Sequence, residues 1–138
     1  MNRLVSWVPM ALVVCLSGCG GLGPGGTDFT AYLPYGYFLF QSSAHNIVIA
    51  PCDNWNDKTE IPTMVVSCGF NSSYILAKQQ LMDAKQRSPL PGKYQYWIIY
   101  AVTKERYGPF TEVEFNAKRK ELGVPEEIKL KGKDSYRP

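Results

Sequence analysis

The chain has 138 residues, 15 basic and 12 acidic, for a formal net charge of +3. That length suits one domain with an ordinary core. The charge is too mild, and too evenly interspersed, to argue for nucleic acid; the basic run Lys129, Lys131, Lys133 and Arg137 reads as a solvated end.

Met1-Asn2-Arg3 supplies one positive side chain, and Leu4 to Leu16 is apolar apart from Ser6 and a break at Pro9. A spanning helix needs about 20 apolar residues, so this run is too short to cross a bilayer. A basic start, a short apolar centre and small residues at the end describe a secretory signal peptide over residues 1–18. The small residues, Ser17 and Gly18, stop at a cysteine.

Leu16-Ser17-Gly18-Cys19 resembles the lipobox of bacterial lipoproteins. The resemblance implies that the Cys19 thiol receives a diacylglyceryl group, that the bond after Gly18 is cut, and that the new amino group is acylated. Each buried CH₂ contributes about 0.8 kcal/mol, so one chain holds marginally and two or three hold firmly. Residue 20 is Gly rather than Asp. By the sorting rule of Gram-negative lipoproteins, that implies the outer membrane, facing the periplasm.

Losing residues 1–18 removes only Arg3 from the basic set, so the remainder stays mildly basic. Of the four cysteines, Cys15 leaves with the signal and Cys19 takes lipid, which leaves Cys52 and Cys68. Two thiols in an oxidising compartment invite one disulfide, contributing about 3 kcal/mol in the loop-entropy picture. A redox pair is more often C-x-x-C, and zinc needs more ligands than the single His45 adds. Neither metal nor cofactor is expected.

Gly20 to Gly26 holds five glycines and one proline. It reads as a linker over 19–26 that lets the domain float on the order of 15 Å from the bilayer. One β-rich globular domain is expected over 27–131, with a flexible tail over 132–138. Tyr32 to Gln41 is dense in aromatics, and from Gly36 it reads as a strand. Ser42 to Asn46 turns the chain and Ile47 to Ala50 returns it, completing a hairpin. The aromatic cluster suits either a core or a platform for glycan or peptide, and His45 suits a solvated turn.

Cys52 to Pro62 is polar, and a calcium loop fails there: the positions that need an oxygen ligand, Gly and Glu hold Trp55, Lys58 and Met64. Trp55, in mid-loop, is a candidate partner contact; the alternative has it folding back over the disulfide. Thr63 to Phe70 is a third strand, and Tyr74 to Gln80, which follows a tight turn without a helix cap, is read as a strand in preference to a helix. Leu81 to Gly92, with two prolines, is read as a loop. Tyr94 to Thr103 is the strongest strand, apolar on both faces around Trp97 to Tyr100 and so central in its sheet. Arg106-Tyr107 returns before Gly108-Pro109 ends the sheet.

One helix is expected, over about 111–122. Thr111 and Glu114 form a capping box, and Phe110 and Phe115 a hydrophobic staple. Glu112 and Glu114 suit the positive helix start and Lys118, Arg119 and Lys120 the negative end. Gly123 supplies a left-handed residue before Pro125. Phe115 and Leu122 should pack on the sheet, and Val124 to Leu130 is read as a short final strand. The fold class is therefore α+β, mostly β: an antiparallel meander of about five to six strands with one C-terminal helix on the sheet.

With Tyr74-Ile75-Leu76-Ala77-Lys78-Gln79, Tyr96-Trp97-Ile98-Ile99 and Tyr107-Gly108-Pro109-Phe110…Glu114-Phe115 in view, the chain from about Leu33 to Leu130 resembles a family of small bacterial lipoproteins defined as a domain of unknown function. That family supplies no catalytic residues to carry over. A weaker likeness, confined to the strand–Gly-Pro-Phe–helix segment, is to GYF-type modules that bind proline-rich peptides.

No nucleophile–base pair, metal constellation or carboxylate dyad stands out, so an enzyme is not expected. The function expected is a non-catalytic binding module of the cell envelope, its partner a protein or a glycan. An immunity or inhibitor lipoprotein against a cell-wall hydrolase is one concrete form. The alternative is a structural or stress-related envelope component.

Overall fold

The computed structural model describes residues 28–138, so the signal peptide, Cys19 and the glycine-rich linker lie outside the described residues. Two antiparallel sheets and one helix make three layers. Strands β1 (Phe29–Tyr32), β2 (Tyr37–Ser43) and β3 (Asn46–Pro51) form a three-stranded sheet in that order. Strands β4 (Val65–Phe70), β5 (Tyr74–Met82), β6 (Pro89–Tyr100), β7 (Glu105–Phe110) and β8 (Lys131–Gly132) form a five-stranded sheet in the order β7-β6-β5-β4-β8. Helix α1 (Glu112–Leu122) packs on the outer side of the larger sheet.

Period-two alternation sorts the side chains into two cores. Ile75 and Ala77 of β5, with Trp97 and Ile99 of β6, point toward the smaller sheet and meet Tyr37, Leu39, Ile47 and Ile49. Leu76, Tyr96 and Ile98 point the other way and meet Phe115 of α1, Val124 and Ile128. Burying an Ile or Leu side chain contributes about 1.5–3 kcal/mol, so the larger sheet is stabilised from both sides. The apolar run through Trp97 reads as an interior strand for this reason, and β6 lies between β7 and β5. Within the core the Trp97 indole donates to Gln79 Oε1 at 2.7 Å, and the Gln79 amide donates to the Thr63 carbonyl at 2.8 Å, so these polar atoms are satisfied.

The helix forms as its caps dictate. Glu114 N donates to Thr111 Oγ1 at 3.3 Å, and Glu114 Oε2 accepts from Thr111 N at 2.9 Å. Gly123, at φ 68°, closes the C-terminus in the left-handed region. Tyr74 of β5 donates its hydroxyl to the Leu122 carbonyl at 3.1 Å, tying the last turn to the sheet.

The structure extends and corrects the expected outline. Among the described residues there are eight strands in two sheets. Strand β1 is additional. Residues 74–80 are strand, and the expected loop over Leu81 to Gly92 shrinks to a turn, because β5 runs to Met82 and β6 starts at Pro89. Strand β7 continues through Gly108-Pro109, which an edge strand tolerates because its outer N–H has no ladder partner to lose. The final strand is Lys131–Gly132, beyond Val124 to Leu130.

The tail over 132–138 is likewise not a loose end. Residues Lys133–Tyr136 form a 3₁₀ turn. Tyr136 donates its hydroxyl to the Cys68 carbonyl at 2.7 Å, Arg137 stacks 5.1 Å from the Phe29 ring centroid, and Lys133 reaches Gln41 Oε1 at 3.4 Å. These contacts close the seam between the two sheets. Gly69 permits the approach of the neighbouring segment, since a Cβ there would collide with the Lys129 carbonyl oxygen.

Candidate functional site

Trp55 sits in the polar loop between β3 and β4, and that loop is fixed at several points. Ile49 and Ile61 exchange backbone hydrogen bonds at 2.8 and 3.1 Å. Asp53 pairs with Lys104 at 2.6 Å, which holds its carboxyl below the usual range, first through the hydrogen bond and then through charge. Arg106 of β7 donates to the carbonyls of Asp57 and Glu60 while its guanidinium lies 4.8 Å from the Trp97 ring centroid. Asn56 Oδ1 accepts from Lys58 N at 2.9 Å and turns the tip.

On this frame Trp55 remains 49% exposed. Its indole N–H donates to Glu60 Oε2 at 2.7 Å, and its ring meets Phe38 edge-on, with centroids 5.7 Å apart at 84°. Trp55 folds back over Phe38, not over a disulfide.

Register shows what surrounds it. Directly opposite residues of an antiparallel pair share a face. Thr30 faces Phe40 and Tyr32 faces Phe38 across β1 and β2; Phe38 faces Ala50 and Phe40 faces Val48 across β2 and β3. These six lie on the side away from the inter-sheet core, which takes Phe29, Tyr37, Leu39, Ile47 and Ile49 instead. The aromatics of Tyr32 to Gln41 therefore divide: Tyr37 is core, whereas Phe38 and Phe40 stand outside as an edge-on pair with centroids 6.0 Å apart. Tyr32 is the most open of them, at 79% exposure. Tyr32 belongs to the aromatic run singled out in the sequence, but a strand read only from Gly36 onward leaves it out of the sheet. The signal was the alternation Thr30, Tyr32 continued by Phe38, Phe40.

The expected Cys52–Cys68 bridge is corrected: both are free thiols. Cys52 is exposed just beyond β3, where its backbone N–H donates to the Gly36 carbonyl at 2.7 Å. Cys68 is at mid-strand in β4, buried in the inter-sheet core. Burial pushes the Cys68 thiol up to about 12, with Tyr136 acting weakly in the opposite direction, so it is a packing group with little thiolate character.

His45 lies in the turn between β2 and β3, where its carbonyl accepts from Thr63 Oγ1. Among the described residues no three His, Cys, Asp or Glu side chains gather as a metal group. A depression of about 960 Å³ opens at the C-terminal end of α1. Its charges are mixed, with Arg119, Lys120 and Lys129 beside Glu126 and Glu127, and Arg119 is already committed to the carbonyls of Pro125 and Ile128.

The family described as "Protein of unknown function (DUF3997)" matches residues 34–136, and the chain belongs to it. No curated protein and no solved structure matches the chain.

Proposed function

We propose that this member of the family is a bacterial envelope lipoprotein whose domain works as a non-catalytic binding module for an envelope protein or glycan. Cys19 carries the lipid after cleavage behind Gly18, and Gly20 directs the product to the outer membrane, facing the periplasm. The binding part rests on Trp55: the ring is exposed, yet already held by Glu60 and Phe38. A ring ordered in advance loses little rotamer freedom on contact, and tryptophan is prominent among residues that dominate interface energies.

The test is crosslinking and recovery from detergent-solubilised envelope, using the native chain and Trp55→Ala. A specific partner recovered by the native chain and weakened by roughly 30-fold in the variant, the loss expected of a 2 kcal/mol hot spot, supports the proposal. Identical recoveries from both chains sink the role of Trp55. Intact mass checks the anchor: a chain that keeps residues 1–18 and carries no acyl groups sinks the lipoprotein reading.

A further inference from the structure

Among the described residues no second sheet or helix covers the outer face of the three-stranded sheet. Its accessible part is Tyr32 and the partly exposed Phe38 and Phe40, beside Thr30, with Trp55 lying across Phe38; Val48 and Ala50, on the same side by register, are already buried. A sugar needs converging donors and acceptors beside a stacking ring. Four of these residues, Phe38, Phe40, Val48 and Ala50, have no polar side-chain atom, and the Trp55 N–H is taken by Glu60.

We propose that this face is a membrane-docking surface, lying against the lipid bilayer to which Cys19 is attached. The inference rests on the lipid anchor proposed above. Two observations favour lipid over other occupants. The first is reach. From Cys19 to Asp28 is nine residues, which span at most about 32 Å when fully extended. The first strand after that segment, β1, is itself one edge of the face. The anchored surface is therefore always within range, and a tethered contact forms at an effective concentration that a free partner does not match.

The second is the pattern of the rings. Phenylalanines occupy the middle strand, while the rings with polar tips, Tyr32 and Trp55, stand more exposed beside them. Tyrosine and tryptophan settle where hydrocarbon gives way to headgroups, because one end of the ring is apolar and the other hydrogen-bonds. Anchoring by acyl chains is reinforced by a second membrane contact, and this face supplies one. The domain then lies on its smaller sheet, with α1 directed away from the bilayer.

The test uses the native full-length lipoprotein reconstituted into phosphatidylcholine vesicles whose acyl chains carry bromine, either near the headgroup or near the bilayer centre. With Trp7 lost in the signal peptide, Trp55 and Trp97 are the tryptophans of the mature chain. Trp97 is buried in the inter-sheet core at 5% exposure, out of reach of bromine. Docking is expected to remove most of the Trp55 emission, more with shallow than with deep bromine, and Trp55→Phe should remove the quenchable component. Tyr32→Ser should reduce the quenching while its circular dichroism stays native. Trp55 emission that is indifferent to bromine overturns docking. So does a Trp55 shielded from bromine because it crosslinks to an envelope protein. Flotation of Tyr32→Ser with plain vesicles reads the anchor separately: a chain that floats but is not quenched is anchored without docking, and one that is quenched without acyl groups docks without the anchor.

Discussion

The two sheets differ in how they are covered. The five-stranded sheet is buried on both sides, by the smaller sheet on one and by α1, Val124 and Ile128 on the other. The three-stranded sheet is buried on one side by the larger sheet; on its other side Val48 and Ala50 are buried, Phe38 and Phe40 are partly exposed, and Tyr32 and Trp55 are exposed. On the larger sheet, hydrophobicity is explained by contacts within the domain. On the smaller one the exposure of Tyr32, at 79%, and of Trp55, at 49%, is not, and clustered exposed apolar groups mark sites of interaction. Both sheets alternate faithfully, so the difference lies only in whether a third layer was built.

Four substitutions break or sharpen that contrast, and urea unfolding measures each. Ile49→Ala, which opens a hole between the sheets where Ile49 is fully buried, should cost roughly 2–5 kcal/mol. Gly69→Ala, which forces the segment at Lys129 off β4, should cost about 1–3 kcal/mol. Thr111→Ala, which removes the N-cap of the covering helix, should cost about 1 kcal/mol. Tyr32→Ser, on the open face, should stay within about 0.5 kcal/mol of the native chain. A loss at Tyr32 as large as that at Ile49 would mean that the open face is part of the stabilising core, and the contrast would collapse.

How much of this was legible in the sequence follows from how local each cause is. Helix α1 and its caps were readable because Thr111, Glu114 and Gly123 act within a few residues of one another. The interior position of β6 was readable from apolar residues on both of its faces. Strand β1 was not, because four residues beside a glycine-rich stretch form a strand only through pairing with β2. The 3₁₀ turn over Lys133–Tyr136 was hidden for the same reason: Tyr136 meets a carbonyl 68 positions earlier. For the candidate site, the sequence singled out Trp55 and the aromatic run Tyr32 to Gln41 but not which of those rings face outward, since whether Tyr37 or Phe38 does so depends on register. The bridge between Cys52 and Cys68 was inferred from counting thiols, and counting is blind to one of them pointing into the core from mid-strand.

Arg137 lies over Phe29, so nearly the first and nearly the last residues of the domain hold one another in place. A chain made from its N-terminus onward therefore carries β1 with its closing partner still to come until Arg137 has emerged. Domain closure waits for Tyr136 and Arg137. An affinity tag fused directly behind Pro138 would be attached at that closure, and a spacer there is the prudent choice.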